Sequence, residues 1–242
     1  MRHFGLIGYP LSHSFSKKYF SEKFQREHIT DCVYENYPLA SIRLFPQLIE
    51  KEHVEGLNVT IPHKESVIPY LDYLDPAAEK IAAVNCIHFK DEKSTGFNTD
   101  IIGFRRSLKP ALQAHHRHAL ILGTGGASKA VAFVLSDLNI SFQFVSRHKK
   151  ENHFTYADLN ENIIRRHTLI INTTPLGTSP DVNNCPDIPY RFLSEEHLLY
   201  DLIYNPPETL FLQKGKERGA VIKNGYEMLQ LQAEASWEIW NR

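Results

Sequence analysis

The stretch Ala119-Leu120-Ile121-Leu122-Gly123-Thr124-Gly125-Gly126-Ala127-Ser128 decides the fold of the second half of this chain. An apolar run typical of a buried parallel strand leads into a glycine-rich turn, and a helical pattern follows to about Leu138. Gly123 and Gly125 allow a sharp turn and a close approach to phosphate oxygens, and the helix N-terminus offers unpaired N–H groups. We therefore predict a dinucleotide site here. The alternative is an ordinary strand-to-helix turn with spare glycines.

The next apolar strand, residues 140–145, predicts which dinucleotide binds. It is followed by Ser146-Arg147-His148-Lys149-Lys150, and the first acidic residue is Glu151. NAD sites usually carry an acid here for the ribose 2′-hydroxyl, whereas a guanidinium and a hydroxyl bind a 2′-phosphate. We predict NADP, with Arg147 as the main determinant and the serine hydroxyl and Lys150 in support. A solvated basic loop is the alternative.

Composition points to a small-molecule partner. The 242 residues include 27 Lys and Arg against 28 Asp and Glu, which leaves no basic footprint for nucleic acid. No apolar run approaches the ~20 residues that a membrane span needs, and the N-terminus does not resemble a secretory signal. Three cysteines without metal-type or redox-type spacing fit a reducing cytoplasm, where we expect the protein to act. They are Cys32, Cys86 and Cys185.

We predict no metal site. His115, His116 and His118 lie together, but they occupy a polar connection without a Cys or acid cluster to complete a coordination shell.

Strand and helix patterns alternate, which predicts an α/β fold with mainly parallel sheets covered by helices. Strands are expected near residues 3–8, 33–37, 56–60, 84–89, 119–122, 140–145, 169–172 and 198–203. Helices are expected over residues 16–27, from Pro46, over 63–74 with a bend at Pro69, from 100 to about 112, and at the C-terminus. We expect a substrate-binding domain of residues 1–100 with the final helix, about 233–242, and a Rossmann-type dinucleotide domain of residues 101–232.

Polar residues at predicted strand ends mark the first half as the substrate side. Ser14 and Ser16 follow the first strand and begin a helix, where their hydroxyls suit a carboxylate or simply cap the helix. Asn58 and Thr60 end the third predicted strand, and Asn85 lies in the fourth.

Lys64 and Asp100 form a candidate catalytic pair. In open α/β sheets ligands bind beyond the carboxyl ends of the strands, where these two side chains are expected to meet. An ammonium stabilises the negative charge that develops on a ketone oxygen during hydride transfer and supplies the proton, and the aspartate holds the lysine. The alternative is a surface ion pair worth under about 1 kcal/mol.

These motifs, in this order and over nearly the whole chain, resemble the shikimate dehydrogenase family of NADP-dependent enzymes. Ser146-Arg147-His148 stands where the family usually has Asn-Arg-Thr. The resemblance implies carboxylate binding by Ser14 and Ser16, and catalysis by Lys64 with Asp100. It implies further substrate contacts from Asn58, Thr60, Asn85, Tyr204 and Gln232.

Three further segments carry the resemblance through the second half: Asn172-Thr173-Thr174-Pro175-Leu176-Gly177, Asp201-Leu202-Ile203-Tyr204-Asn205-Pro206 and Gly225-Tyr226-Glu227-Met228-Leu229. It implies that the cofactor is held by the phosphate loop Gly123 to Ala127 and by Thr173, Thr174, Leu202, Gly225 and Met228. The implied reaction is reversible reduction of 3-dehydroshikimate to shikimate with NADPH, in a cleft that closes between two domains.

Other functions stay open at this point. A quinate/shikimate dehydrogenase using NAD is opposed by the missing acid after Val145 and by the paired serines. A non-catalytic NADP-binding regulator is opposed by the presence of both Lys64 and Asp100. A methylene-folate dehydrogenase gives no account of the serines. The protein is expected to be a monomer or a homodimer.

Overall fold

A computed structural model describes residues 1–11 and 14–242. The chain divides into two compact α/β units, residues Met1–Ile102 with Gln232–Arg242, and residues Gly103–Leu231. The predicted fold class is confirmed. Among the described residues, no helix combines the length and apolar character that crossing a membrane requires.

The first unit is built on a six-stranded mixed sheet. Its strands are β1 (Arg2–Gly8), β2 (Cys32–Pro38), β3 (Gly56–Val59), β4 (Tyr73–Leu74), β5 (Cys86–Lys90) and β6 (Lys93–Phe97), and their order is β2-β1-β3-β5-β6-β4. The β1 strand pairs in parallel with β2 and β3, whereas β5 is antiparallel to both β3 and β6. Helices α1 (Phe15–Arg26), α2 (Phe45–Glu52) and α3 (Pro76–Ile81) connect these strands.

The second unit has the strand order of a Rossmann fold. Its strands, all parallel, are β7 (His118–Leu122), β8 (Ser141–Ser146), β9 (His153–Thr155), β10 (Leu169–Asn172), β11 (Leu198–Asp201) and β12 (Val221–Lys223), in the order β12-β11-β10-β7-β8-β9. This is the doubly wound order 3-2-1-4-5-6, which places ligands at the carboxyl ends of the strands. Helices α5 (Gly126–Asp137), α6 (Glu161–Arg166) and α7 (Leu210–Lys216) accompany them.

Two helices contain the unit boundaries. Helix α4 (Thr99–Leu108) contains the break after Ile102, and α8 (Tyr226–Trp240) contains the break before Gln232. The C-terminal half of α8 packs on the first sheet, where Trp240 stacks on Phe4 at 4.9 Å between ring centroids. The Trp240 indole N–H also donates to the carbonyl of Ile87 at 2.9 Å.

The predicted helix over residues 63–74 is wrong. The segment forms turns, a short 3₁₀ turn at Ile68–Tyr70, and strand β4. Its backbone forms a hydrogen bond outside the segment, because the Lys64 carbonyl accepts from the Val84 N–H at 2.8 Å. Pro69 also lacks the N–H that a continuous helix needs. Lys64 is therefore carried by a loop that is bonded to the segment just before β5.

Strand β5 matches the strand expected at residues 84–89, but β6, its partner in a hairpin, was missing from the expected strands. The turn of this hairpin places Asp91 and Glu92 in the left-handed region, with φ values of 51° and 59°. Glycine or asparagine is the usual signal for such a turn, and neither stands there.

Candidate active site

Lys64 and Asp100 meet in the first unit. The Lys64 Nζ donates to Oδ2 of Asp100 at 2.6 Å, and the two side chains are 25% and 15% exposed. Asn85 donates from Nδ2 to the other oxygen, Oδ1, at 2.9 Å. Asp100 also lies in the first turn of α4, where the helix dipole favours a carboxylate. The ammonium is thus held by a carboxylate whose own position is fixed from two sides.

The Asn85 amide is oriented by the start of the same helix. Its Oδ1 accepts from the Thr99 backbone N–H at 2.6 Å and from the Thr99 hydroxyl at 3.2 Å. Because its oxygen faces Thr99, its NH₂ group must face Asp100. Asn85 and Thr99 are both buried, so the surrounding protein sets this geometry.

Hydrogen bonds continue from Thr99 to other predicted substrate residues. Its hydroxyl lies 3.4 Å from Oε1 of Gln232 and 3.2 Å from Oγ of Ser236. Asn58 donates to the Ser236 Oγ at 2.8 Å and accepts from the Tyr34 hydroxyl at 2.8 Å. We call the connected set the polar cluster: Tyr34, Asn58, Lys64, Asn85, Thr99, Asp100, Gln232 and Ser236.

Sequence reasoning missed three members of this cluster, Tyr34, Thr99 and Ser236. Thr99 directly precedes Asp100, so its neighbour was a usable signal. Ser236 lies next to Trp237 of the apolar stripe of α8, and Tyr34 lies inside a strand. Nothing local distinguishes these two from ordinary core positions.

The two predicted carboxylate-binding serines lie at the start of α1. Ser14 caps this helix, accepting from the Lys17 backbone N–H at 3.3 Å. Ser16 is hydrogen-bonded to Tyr34; burial raises the pKa of Tyr34 well above its ordinary value, and this hydrogen bond lowers it. Ser16 therefore connects to Asn58 through Tyr34. Thr60 is half-buried, one residue beyond the end of β3.

The glycine turn of the second unit is shaped to accept a diphosphate. Gly123 has φ +100°, and a Cβ there would lie 2.9 Å from Oγ1 of Thr173. A Cβ on Gly125 or Gly126 would meet nothing within 4 Å, at the point where α5 begins. Open space over free helical N–H groups fits the chemistry of a dinucleotide. The Cβ atoms that glycine lacks would intrude into that space.

A cavity of about 310 Å³ adjoins this turn. Its lining includes seven of the thirteen predicted cofactor residues and four residues that were not predicted to bind the cofactor: Val145, Tyr156, Pro175 and Leu176. The lining residues are Gly123, Thr124, Gly125, Val145, Ser146, Arg147, Tyr156, Thr173, Thr174, Pro175 and Leu176. Lys150 is exposed and lies outside this lining.

Ser146 serves its own loop. Its Oγ donates to the carbonyl of His148 at 2.6 Å, and the residue is buried. The proton of this hydroxyl is therefore used in a hydrogen bond within the segment that carries Arg147.

The remaining predicted residues of the second unit lie after β11 and at the start of α8. The Leu202 N–H donates to the Asn172 carbonyl at 3.0 Å, and the Gly225 N–H donates to the Ile203 carbonyl at 3.0 Å. A Cβ on Gly225 would overlap the Leu202 carbonyl, so glycine is required there. Met228 is buried and Tyr204 is half-buried.

A buried carboxylate holds the segment of Leu202 and Tyr204. Asp201 accepts from Nδ2 of Asn172 at 3.0 Å and from the Thr209 hydroxyl at 2.6 Å. Burial raises the pKa of Asp201 to about 6, although these hydrogen bonds lower it. Asp201 therefore joins the ends of β10 and β11.

A Rossmann unit with an open glycine turn, and an α/β unit with a shielded lysine–carboxylate pair, define the class of dinucleotide-dependent oxidoreductases. Comparison with known proteins narrows the class. A family model of the shikimate dehydrogenase substrate binding domain matches residues 6–87. A shikimate dehydrogenase (NADP(+)) of Methanosphaera stadtmanae is 36% identical over 255 residues, covering 98% of this chain and 90% of that protein. The chain belongs to the shikimate dehydrogenase family.

Solved structures agree with this assignment. Shikimate 5-dehydrogenase from Thermus thermophilus, in complex with NADP(H) and shikimate, matches with a TM-score of 0.88 at 29% identity, over 99% of this chain and 93% of that one. The ligand-free 5-ketofructose reductase of a Gluconobacter species matches with a TM-score of 0.86 at 27% identity, over 100% of this chain and 93% of that one. The resemblance inferred from the motifs is confirmed.

Proposed function

We propose that the protein catalyses the reversible NADP-dependent interconversion of shikimate and 3-dehydroshikimate, with reduction by NADPH as its biosynthetic direction. The observation that carries the proposal is the Lys64–Asp100 pair, locked by Asn85 and largely shielded from solvent, in a chain of this family. The same geometry argues against a regulator without activity, because binding alone does not need a shielded proton donor.

The predicted substrate residues lie mainly in the first unit. The polar cluster, with Ser14, Ser16 and Thr60, binds the substrate ring and its carboxylate, and the family resemblance also gives Tyr204 a substrate contact. The units correspond to a substrate domain and an NADP domain.

The chemistry of this chain centres on Nζ of Lys64. NADPH supplies a hydride to the ketone carbon when it is bound. Lys64 stabilises the negative charge on the ketone oxygen and donates a proton to it. Asp100 holds the ammonium in place and accepts a hydrogen bond from the substrate, while Asn85 keeps the carboxylate from rotating. In the oxidation direction Lys64 takes the proton back.

Within the NADP unit, the phosphate loop Gly123 to Ala127 binds the diphosphate and Arg147 binds the 2′-phosphate. Lys150 lies outside the cavity lining, so its contribution is a long-range electrostatic attraction for the phosphates of the cofactor. Ser146 acts by shaping the loop, because its hydroxyl proton is bonded to His148. The nicotinamide half lies along the set Thr173, Thr174, Leu202, Gly225 and Met228.

The test is steady-state turnover with a panel of substrates. Shikimate and quinate are oxidised with NADP⁺ and with NAD⁺, and 3-dehydroshikimate and 5-ketofructose are reduced with NADPH. The proposal predicts the highest kcat/KM for the shikimate pair with the phosphorylated cofactor. Comparable quinate or 5-ketofructose activity would contradict the proposed substrate. A preference for NAD⁺ would contradict the proposed cofactor. Binding of NADP⁺ without turnover in any pairing would favour a regulator.

A further inference from the structure

Tyr156 lies beside Arg147 at the edge of the second sheet. Strands β8 and β9 pair in parallel, with Ser146 opposite Thr155. The next residue along each strand is Arg147 on one side and Tyr156 on the other. Both residues line the cavity that adjoins the glycine turn.

The backbone that carries Tyr156 is held by a capping box. The carboxylate of Asp158 accepts from the Thr155 N–H at 2.7 Å and from the Thr155 hydroxyl at 2.8 Å. These two bonds fix the short 3₁₀ turn Tyr156–Asp158 directly after β9. The position of the tyrosine is therefore set before any ligand binds.

Tyr156 lines two hollows of the second unit. It lines the cavity of Arg147 and also a second hollow of about 340 Å³, which contains Pro189 and Tyr190. It packs against the buried core of the second unit as well. A ring supported in this way is a rigid wall of the Arg147 cavity.

We infer that the ring of Tyr156 forms a wall of the subsite for the adenine base of NADP. The inference rests on the proposed function. In a doubly wound sheet the diphosphate lies over the turn after β7, so the adenosine half extends over the carboxyl ends of β8 and β9. Arg147, directly after β8, then meets the ribose 2′-phosphate, and the aromatic side chain beside it in the cavity lining is Tyr156. Aromatic rings bind bases through their faces, largely independently of hydrogen bonds.

Electrostatics agree with this assignment. Burial raises the pKa of Tyr156, and the positive charge of Arg147 lowers it. The phenol is neutral at physiological pH, so it places no negative charge beside a 2′-phosphate. Since the ring carries the interaction, phenylalanine should replace this tyrosine without loss.

The test measures binding rather than turnover. Isothermal titration of the full chain uses adenosine 2′,5′-bisphosphate, which has the base and the 2′-phosphate, and ADP, which has the base and a 5′-diphosphate but no 2′-phosphate. We compare wild type with Tyr156→Leu, which keeps apolar bulk toward the core, and with Tyr156→Phe as the matched control. Thermal unfolding verifies that each variant is folded.

Tyr156→Leu is expected to weaken both ligands by a similar factor of about ten, and Tyr156→Phe to bind both as wild type does. Equal affinities for Tyr156→Leu and wild type would overturn the inference while leaving the NADP site intact. A loss in Tyr156→Phe confined to the bisphosphate would assign the hydroxyl to the 2′-phosphate and overturn the role of the ring. Failure of folded wild type to bind the bisphosphate would overturn the NADP site itself, and with it this inference.

Discussion

Asp100 uses both carboxylate oxygens on protein groups, one on Lys64 and one on Asn85. A surface ion pair gains little, because water screens it and both side chains lose freedom. Here the charges are shielded and oriented, which supports the proposed catalytic role of the pair. Hydrogen bonds restrict the orientation of these side chains: Asn85 is oriented by Thr99, and Thr99 also contacts Ser236.

Arg147 is the residue at which cofactor preference is tested. Arg147→Ala should lower kcat/KM for NADP⁺ by about 10- to 100-fold, because hydrogen bonds to a charged group are worth roughly 1.5–3 kcal/mol. The value for NAD⁺ should hardly change, since NAD⁺ has no 2′-phosphate. Lys150→Ala is the matched control, and it should matter far less because Lys150 lies outside the cavity lining. Equal losses with both cofactors would refute the 2′-phosphate contact.

The packing of α8 on the first sheet depends on a close approach at the element scale. Gly56 of β3 lies under Trp240, and a Cβ there would overlap the indole. Gly125 at the start of α5 is the opposite case, because a Cβ there meets nothing. Gly56 therefore serves core packing in β3, whereas the space beside Gly125 fits its proposed role in the phosphate loop.

Alanine substitutions should separate these two roles. Gly56→Ala should lower the free energy of unfolding by about 1–3 kcal/mol, measured by urea denaturation, because the indole has to shift. Gly125→Ala should have a free energy of unfolding within about 0.5 kcal/mol of the wild-type value, because the residue already has an allowed φ of −81°. The same variant should nevertheless lose NADP⁺ affinity. Normal NADP⁺ binding by Gly125→Ala would show that the open space is not where the diphosphate lies.

An element can be predicted from the sequence when the residues that determine it are close to one another in the chain. Strand β7, its glycine turn and α5 are local, and all three were predicted. The loop of Lys64 was predicted as a helix because its periodicity is helical. Its backbone, however, bonds to Val84, a contact that no local pattern shows. Tyr156 was missed for the same reason, since strand register brings it beside Arg147.

At the scale of the whole molecule, the described groups whose shifted pKa values make the free energy of unfolding depend on pH in mild acid lie mostly in the second unit. Burial lowers the pKa of His116, His167 and His197. The Nδ1 of His197 accepts from the Ser194 N–H at 3.1 Å, which requires that nitrogen to be unprotonated. Asp201 acts oppositely, because its pKa is raised to about 6.

Stability should therefore fall as the pH is lowered from 7.5 to 5.5. Below about pH 6.5 unfolded histidines bind protons that the folded state does not bind, so folding loses free energy until the pH passes the lowered pKa values. Asp201 offsets part of this loss, since below about pH 6 its folded form takes up a proton that the unfolded chain does not. Urea midpoints across this range measure the difference.

His197→Asn is the control for that experiment. Asparagine retains an acceptor for Ser194 and does not titrate, so the pH dependence should become smaller. A midpoint independent of pH in wild type would contradict the lowered histidine pKa values, because the folded and unfolded states would then bind equal numbers of protons.

The two-unit α/β architecture was predictable because alternating strands and helices and the glycine turn are properties of the sequence itself. The composition of the polar cluster was only partly predictable. Ser236 lies 137 residues from Thr99, and their contact exists only in the folded first unit. Lys64, Asn85 and Asp100 were found because each carries its own chemical signal near a strand end.

The most direct test of the account is the separation of kcat from KM in two variants of Lys64, with shikimate and NADP⁺. Lys64→Ala should lower kcat by about 10²- to 10⁴-fold with a far smaller change in KM, because the lysine acts on the charge and proton of the transition state. Lys64→Arg should remain slow, since a guanidinium keeps the positive charge but does not exchange a proton near neutral pH. An unchanged kcat with a raised KM in Lys64→Ala, or full activity in Lys64→Arg, would contradict a proton-transferring Lys64.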